Sequence, residues 1–272
     1  MTALDESRDL VNGATRLYGI IGDPIEQVRS PEVMTGRFRA AGRNAILVPL
    51  HVLPESFDAS VRGLKSLANL DGLIITVPYK VRILPHVDRL LPTGARVGAI
   101  NAMRRETDGS WSGDMFDGRG LIRGLRGEGI EVAGRRVMQL GAGGAGSAVA
   151  FALAEAAVAG LTLFDVDEGK ARDLAARVAA AYPHLAVRTA APTVEGCDML
   201  VNATPVGMAP GDGLPAELGR LDPALLVVDI IMKPPLTPLL RHAQACGCRT
   251  LGGRAMLEGQ ADEVALFFGM GG

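Results

Sequence analysis

Val137-Met138-Gln139-Leu140 runs directly into Gly141-Ala142-Gly143-Gly144-Ala145-Gly146, and an apolar helix is predicted over Gly143–Ala159. A short apolar strand, a Gly-x-Gly-x-x-Gly turn and a helix in that order make the phosphate-binding opening of a dinucleotide fold. The first glycine permits the tight turn, the second lets a pyrophosphate reach the backbone, and the third lets helix pack on strand. Free N–H groups and positive potential at the helix start complete the site. Gly141, Ala142, Gly143, Gly144 and Ala145 are therefore the expected pyrophosphate contacts. The next predicted strand, Leu161–Asp165, ends on a carboxylate about where such folds place an acid on the adenosine ribose. Asp165 opposes a 2′-phosphate, Val166-Asp167 brings no arginine, and the nearest cation, Arg172, lies on the following helix. NAD is expected in preference to NADP.

Apolar, β-rich runs alternate with helical runs on both sides of this turn. Before it, strands are predicted over Leu17–Ile21, Ala45–Leu50, Gly72–Val77 and Ala99–Met103, with helices over Pro31–Ala41 and Pro54–Leu67. A connecting helix is expected over Gly118–Gly129. After the turn come a helix over Gly169–Ala181, strands over Met199–Asn202 and Leu225–Ile230, and helices over Thr237–Cys246 and Met256–Phe268. This alternation predicts an α/β protein with crossover connections and a largely parallel sheet.

The chain has 272 residues, enough for two modest domains, and 48% hydrophobic content supplies their cores. A net charge of -2 and a single Trp argue against nucleic acid or anionic lipid as a partner. Three cysteines read as a reduced, cytoplasmic set rather than a disulfide framework. The opening residues lack the pattern of a targeting segment, and no apolar run is long enough to span a bilayer. His51, His86, His184 and His242 show no metal-ligand spacing, so no metal is expected.

Three segments of the first half place polar residues directly after strands, where α/β proteins hold ligands. They are Gly22-Asp23-Pro24-Ile25 with Ser30-Pro31, Thr76-Val77-Pro78-Tyr79-Lys80, and Gly98-Ala99-Ile100-Asn101 with Gly113–Gly118. Hydride transfer from an alcohol carbon needs a group that handles the hydroxyl proton. Lys80 and Asp117 are the candidates, although singly each also reads as a surface lysine at a helix start and a helix N-cap.

Together these segments resemble the shikimate dehydrogenase family. Counterparts occur in order to its G-N-P-I-x-x-S-x-S-P, N-V-T-V-P-[FY]-K, G-A-x-N and G-x-N-T-D-G segments, then to G-A-G-G-A and N-A-[TS]-x-x-G. Asp229–Leu240 and Gly253–Gln260 match the two remaining motifs, D-x-x-Y-x-P-x-x-T-P-L-L and G-x-x-M-L-x-x-Q. The resemblance implies an N-terminal α/β substrate domain (residues 1–117), a C-terminal Rossmann-type doubly wound domain (118–252) and a cleft between them, with residues 253–272 returning to the first domain. It also implies that Lys80 and Asp117 form the catalytic pair and that Ser30, Thr76, Asn101 and Gln260 bind substrate. Asn202, Ala203, Thr204, Ile230 and Gly253 are implied to line the cofactor site.

Departures from the family concentrate on the substrate side. Val28 stands where the family has the first serine of S-x-S, and Met232 where it has the tyrosine of D-x-x-Y. Ile74 replaces the asparagine of N-V-T, and Met115-Phe116 replaces the Asn-Thr before the catalytic aspartate. Each change puts an apolar group where a polar one stood, and a carboxylate that loses its donors bears its desolvation uncompensated. The expected substrate is a cyclic hydroxy compound other than shikimate, or a less polar one. Shikimate or quinate itself, and a non-catalytic NAD-responsive protein, are the alternatives. A monomer or a homodimer fits all three.

Overall fold

The computed structural model describes residues 11–270. They form two compact units, one of residues up to Met115 together with the segment from Glu263, the other of Phe116–Asp262.

The first unit is built on a six-stranded sheet. β1 (Arg16–Gly22) lies between β2 (Ala45–His51) and β3 (Leu70–Ile75), parallel to both. β4 (Arg89–Leu90), β5 (Ala102–Arg105) and β6 (Trp111–Asp114) complete the order β2-β1-β3-β5-β6-β4. β5 is antiparallel to β3 and β6, so this sheet is mixed, not largely parallel as the alternation predicted. The strand expected over Ala99–Met103 begins only at Ala102, because Gly98 at φ +72° ends α3 (Pro92–Val97) and Ala99–Asn101 is the link between them. α1 (Ser30–Ala40) and α2 (Phe57–Lys65) cover the sheet, α2 extending a 3-10 turn over Pro54–Ser56. Phe57, Leu73, Tyr79, Ile83, Met103 and Trp111 form the buried centre.

The second unit has a sheet in the order β12-β11-β10-β7-β8-β9, every pair parallel. Its strands are β7 (Arg136–Leu140), β8 (Gly160–Phe164), β9 (Ala186–Thr189), β10 (Met199–Asn202), β11 (Leu226–Asp229) and β12 (Arg249–Leu251). The helices are α4 (Asp117–Gly127), α5 (Gly144–Glu155), α6 (Glu168–Ala181), α7 (Pro238–Ala245) and the first part of α8 (Gly253–Phe267). Strand order reverses between β7 and β10, the switch point at which doubly wound sheets open a crevice for ligands. Met138, Leu140, Leu200, Val227 and Leu239 pack beneath it. The structure thus has the two-domain α/β, Rossmann-type architecture expected from the sequence.

The unit boundary falls inside α8, between Asp262 and Glu263. The end of the chain is bound into the first unit. Arg104 Nη1 donates to the Phe267 carbonyl at 2.6 Å, Arg43 Nη1 to that of Phe268 at 3.1 Å, and the Phe268 ring lies 4.7 Å from that of Tyr18. Among the described residues no helix is long and apolar enough to cross a membrane.

At the amino edge of the second sheet, Arg136 grips Asp198 with Nε at 3.2 Å and Nη2 at 3.0 Å, and its amide donates at 2.8 Å. These bonds hold the Asp198 carboxyl down at about 2. A carboxyl whose folded pKa lies below its unfolded one stabilises the fold above the unfolded value and ceases to as pH falls through the folded one. The stability deficit of Asp198→Asn at neutral pH should therefore close as pH drops from 3.8 to about 2. Urea titrations at stepped pH check this, and a deficit constant across that window would contradict it.

Candidate active site

In the first unit, backbone bonds converge three loop segments at the carboxyl ends of β1 and β3. Asp23 N donates to the Val77 carbonyl at 3.0 Å, Ile75 N to Asn101 O at 2.8 Å, and Ile100 N to Lys80 O at 2.9 Å. Thr76, Lys80 and Asn101 are thereby carried on two strand-end loops laced together. The residue before Lys80 is a buried anchor, since Tyr79 Oη donates to the Val52 carbonyl at 2.5 Å and its ring stacks on Phe57 at 4.2 Å. Burial of that ring pushes the Tyr79 phenol up. Lys80 itself is half-buried in a turn and not at a helix start, while Asn101 is fully buried.

Of the remaining residues expected on this side, Ser30 is the buried first residue of α1, Ile74 is buried in β3 and Val28 is half-buried. Arg29, between Val28 and Ser30, makes an ion pair with Glu32 in which both side chains are more than half exposed (54% and 57%). Gln27 closes its own loop on the Pro24 carbonyl at 2.8 Å.

In the second unit Asp117 is nearly fully buried at the first position of α4. It is not the N-cap; that position belongs to Phe116, whose side chain makes no capping bond. Phe116 is also buried, with the Arg119 guanidinium over its ring at 5.8 Å. Gln260 Nε2 donates to Asp117 Oδ1. The pair meets because α4 and α8 cross almost backbone to backbone: a Cβ on Gly120 would come within 2.6 Å of Gln260 N, and one on Gly124 within 2.3 Å of Ala255 O.

The glycine turn follows β7 as expected. Gly141 has φ +98°, and a Cβ there would lie 2.7 Å from the Ala203 carbonyl at the end of β10. A Cβ on Gly146 would be 2.3 Å from Gly141 O. Gly143 and Gly144, by contrast, have nothing within 4 Å of a Cβ position, and no side chain caps α5 at Gly143. Backbone N–H groups therefore meet an open space at a helix N-terminus, which fits the pyrophosphate of a dinucleotide. Asp165, after β8, accepts from Ala142 N at 2.7 Å and Asp167 N at 2.9 Å, and each oxygen keeps a further lone pair for a ribose hydroxyl.

Asn202 belongs to a buried network whose function the sequence did not show. Its Nδ2 donates to Asp229 Oδ1 at 3.2 Å and to Val206 O at 3.3 Å, while its Oδ1 accepts from Thr204 N and Oγ1 at 3.1 and 2.7 Å. Asp229 also accepts from Ile231 N at 3.1 Å and Thr237 Oγ1 at 2.7 Å. Burial pushes the Asp229 carboxyl up against these three donors. One side chain thus gathers the loops after β10 and β11 and the start of α7. Ile230 and the half-buried Met232 follow Asp229 on its loop, and a Cβ on Gly253 would lie 2.4 Å from Ile230 O.

Comparison with known proteins identifies the family of the chain. A family model described as the shikimate dehydrogenase substrate binding domain matches residues 20–103. The NADP(+) shikimate dehydrogenase of Rubrobacter xylanophilus is 37% identical over 258 residues, covering 93% of this chain and 90% of that protein. This chain belongs to the shikimate dehydrogenase family. It is an NAD(P)-dependent oxidoreductase acting on CH–OH groups. Two solved structures are also similar to it. The ligand-free 5-ketofructose reductase of Gluconobacter sp. strain CHM43 superposes with a TM-score of 0.83 at 30% identity, over 93% of this chain and 92% of that one. Quinate dehydrogenase from Corynebacterium glutamicum in complex with NAD gives 0.84 at 32% identity, over 94% of each chain.

Asp229→Ala would strand the Asn202 amide, the Thr237 hydroxyl and the Ile231 N–H without their acceptor. The expected loss is about 2–4 kcal/mol, since each buried unpaired group costs about 1–3 kcal/mol and some will find water. Denaturant unfolding measures it, and a loss below about 1 kcal/mol would show that Asp229 does not anchor the three segments.

Proposed function

We propose that the chain interconverts an alcohol and a ketone on a cyclic polyhydroxy compound whose recognition does not depend on a carboxylate, with NAD as the preferred cofactor. The observation that carries the substrate reading lies at residues 28–30. Where the family has two serines, this chain has one buried hydroxyl, Ser30, and the adjacent cation Arg29 is engaged with Glu32 at the surface. Met232 in place of the tyrosine removes a further donor. An anionic group offered one hydroxyl in place of three would lose hydration without replacement. The likeness to a reductase of 5-ketofructose, an uncharged sugar, supports such a substrate within this family. The competing reading, shikimate or quinate, draws on the names of other relatives and is decided by the same assay.

The residues divide the work as follows. The first unit supplies the substrate-binding domain and Phe116–Asp262 the cofactor domain, with Ser30, Thr76, Asn101 and Gln260 on the hydroxyls of the substrate. Lys80 passes the hydroxyl proton, and Asp117, held by Gln260, is the second group of the acid–base pair. A nicotinamide dinucleotide held in the second unit would supply the hydride chemistry at the carbinol carbon. Gly141–Ala145 hold the pyrophosphate, and Asn202, Ala203, Thr204, Ile230 and Gly253 the nicotinamide end.

The cofactor preference follows from the loop after β8. Asp165, Asp167 and Glu168 crowd carboxylates around the ribose position, and the nearest cations are already matched: Lys170 with Asp167 at 3.5 Å and Arg172 with Glu168 at 2.8 Å. A 2′-phosphate there would meet like charge. The relative from Rubrobacter is named for NADP(+), so this preference sets the chain apart from it.

A panel of shikimate, quinate, uncharged cyclic polyols and ketoses, read by nicotinamide absorbance with NAD and with NADP, tests the proposal. An uncharged polyol or ketose should exceed shikimate in kcat/KM; efficient turnover of shikimate overturns the substrate reading. With the best substrate, Lys80→Ala should lower kcat by about 10²–10⁴ and leave NAD affinity within about twofold, and unchanged turnover would remove Lys80 from the mechanism. NAD should exceed NADP at least about tenfold in kcat/KM, and Asp165→Ser with Val166→Arg should reverse the order, because Val166 is 92% exposed and an arginine there is free to reach a phosphate. A wild-type preference for NADP would overturn the cofactor reading.

A further inference from the structure

Gln139 is the one polar residue within Val137–Leu140 of β7, and it is completely buried. A buried amide in an apolar strand is costly unless it is bonded. Its Nε2 donates to the carbonyl of Gly141 at 2.9 Å and to that of Gly146 at 2.8 Å, the first and last residues of the glycine turn. Its Oε1 has no partner. Turning the amide over would set Oε1 against two carbonyl oxygens, so both acceptors dictate its orientation and the unpaired oxygen is the consequence. The same spot excludes a side chain at Gly146, whose Cβ would lie 3.3 Å from Gln139 Nε2 as well as against Gly141 O.

We propose that Gln139 is a positioning residue for the dinucleotide, clamping the two ends of the turn so that Gly143–Ala145 present their amides in binding shape before any ligand arrives. The proposal rests on the reading of Gly141–Gly146 as the pyrophosphate loop. Gly143 and Gly144 face open space, so besides the bonds of Ala142 N to Asp165 and of Ser147 N to Gly143 O the clamp at its two ends is what shapes the crown of the turn. With its ends tied, the ordering cost of the loop is met on folding and does not weaken binding.

The test compares the whole protein with Gln139→Met, Gln139→Glu and Gly144→Glu by calorimetric titration of NADH, ADP-ribose and adenosine, alongside thermal melts. Gln139→Met keeps the length of the side chain and removes the donors. It should weaken NADH and ADP-ribose about five- to twentyfold and adenosine less than twofold, because only the first two carry the pyrophosphate. Gln139→Glu sets an acceptor against two carbonyls, and it should recover affinity for ADP-ribose relative to wild type as pH is lowered and its carboxyl regains a donor proton. A packing role would produce neither the split between ligands nor the pH dependence. Should Gln139→Met fail to fold, the pH profile of Gln139→Glu decides alone. Gly144→Glu, at a position with room for a side chain, separates the two readings: loss of NADH binding supports the loop, and retained binding refutes the loop itself. Unchanged ADP-ribose affinity in Gln139→Met with binding lost in Gly144→Glu, or a flat relative pH profile for Gln139→Glu, overturns the clamp.

Discussion

How closely β7 and β10 approach at their carboxyl ends governs the second unit. At the switch point the chain leaves these neighbouring strands in opposite directions, and Gly141 passes Ala203 at a distance that admits no side chain. Gly146 then passes Gly141, and the helix dipole of α5 comes to bear on the open space beside them. The polar residues around this point serve the same geometry. Gln139 ties the turn from below, Asp165 holds Ala142 from the side, and Asp229 gathers the loops beyond β10 and β11. A crevice made of backbone can bind a charged ligand only if its walls stay in place, and these side chains keep them there.

The first unit solves a similar problem with fewer side chains. Main-chain bonds between Asp23 and Val77, Ile75 and Asn101, and Ile100 and Lys80 set three loops in register, and the stacked Tyr79 locks the middle one. Since the backbone carries this arrangement, side chains on it can be exchanged at little cost to the fold. Val28 and Ile74 are exchanges of that kind relative to the family.

The parts of the molecule that could be read in the sequence are those whose constraints are local. The glycine turn declares itself because tight turns and close approaches leave few residue choices, and the strands beside it are short apolar runs. β5 and β6 are poorly marked in the sequence because their pairing is antiparallel and non-local, and Gly98 shifts the start of β5 by three residues. β9 and β12 have no apolar run to mark them, being short, with β9 largely exposed and β12 partly so. Asp117 looked like an N-cap, but the cap is one residue earlier and its carboxylate faces Gln260, a partner more than a hundred residues away. Gln139 and Asp229 were present in the quoted motifs with no visible reason. Their partners are carbonyls and amides that only the folded chain brings within reach.

The docking of Phe267 and Phe268 on Arg104, Arg43 and Tyr18 bears on the order in which the protein takes shape during synthesis. A ribosome releases the strands of the first unit early, yet Tyr18 and Gly72 lack the ring that covers them until Phe268 emerges. The unit that begins first is finished last. Until then the second unit, continuous from Phe116 to Asp262, is the only one whose parts are all at hand. The arrangement makes the covering of the first unit's sheet wait on a segment that lies beyond the whole of the second unit in the sequence.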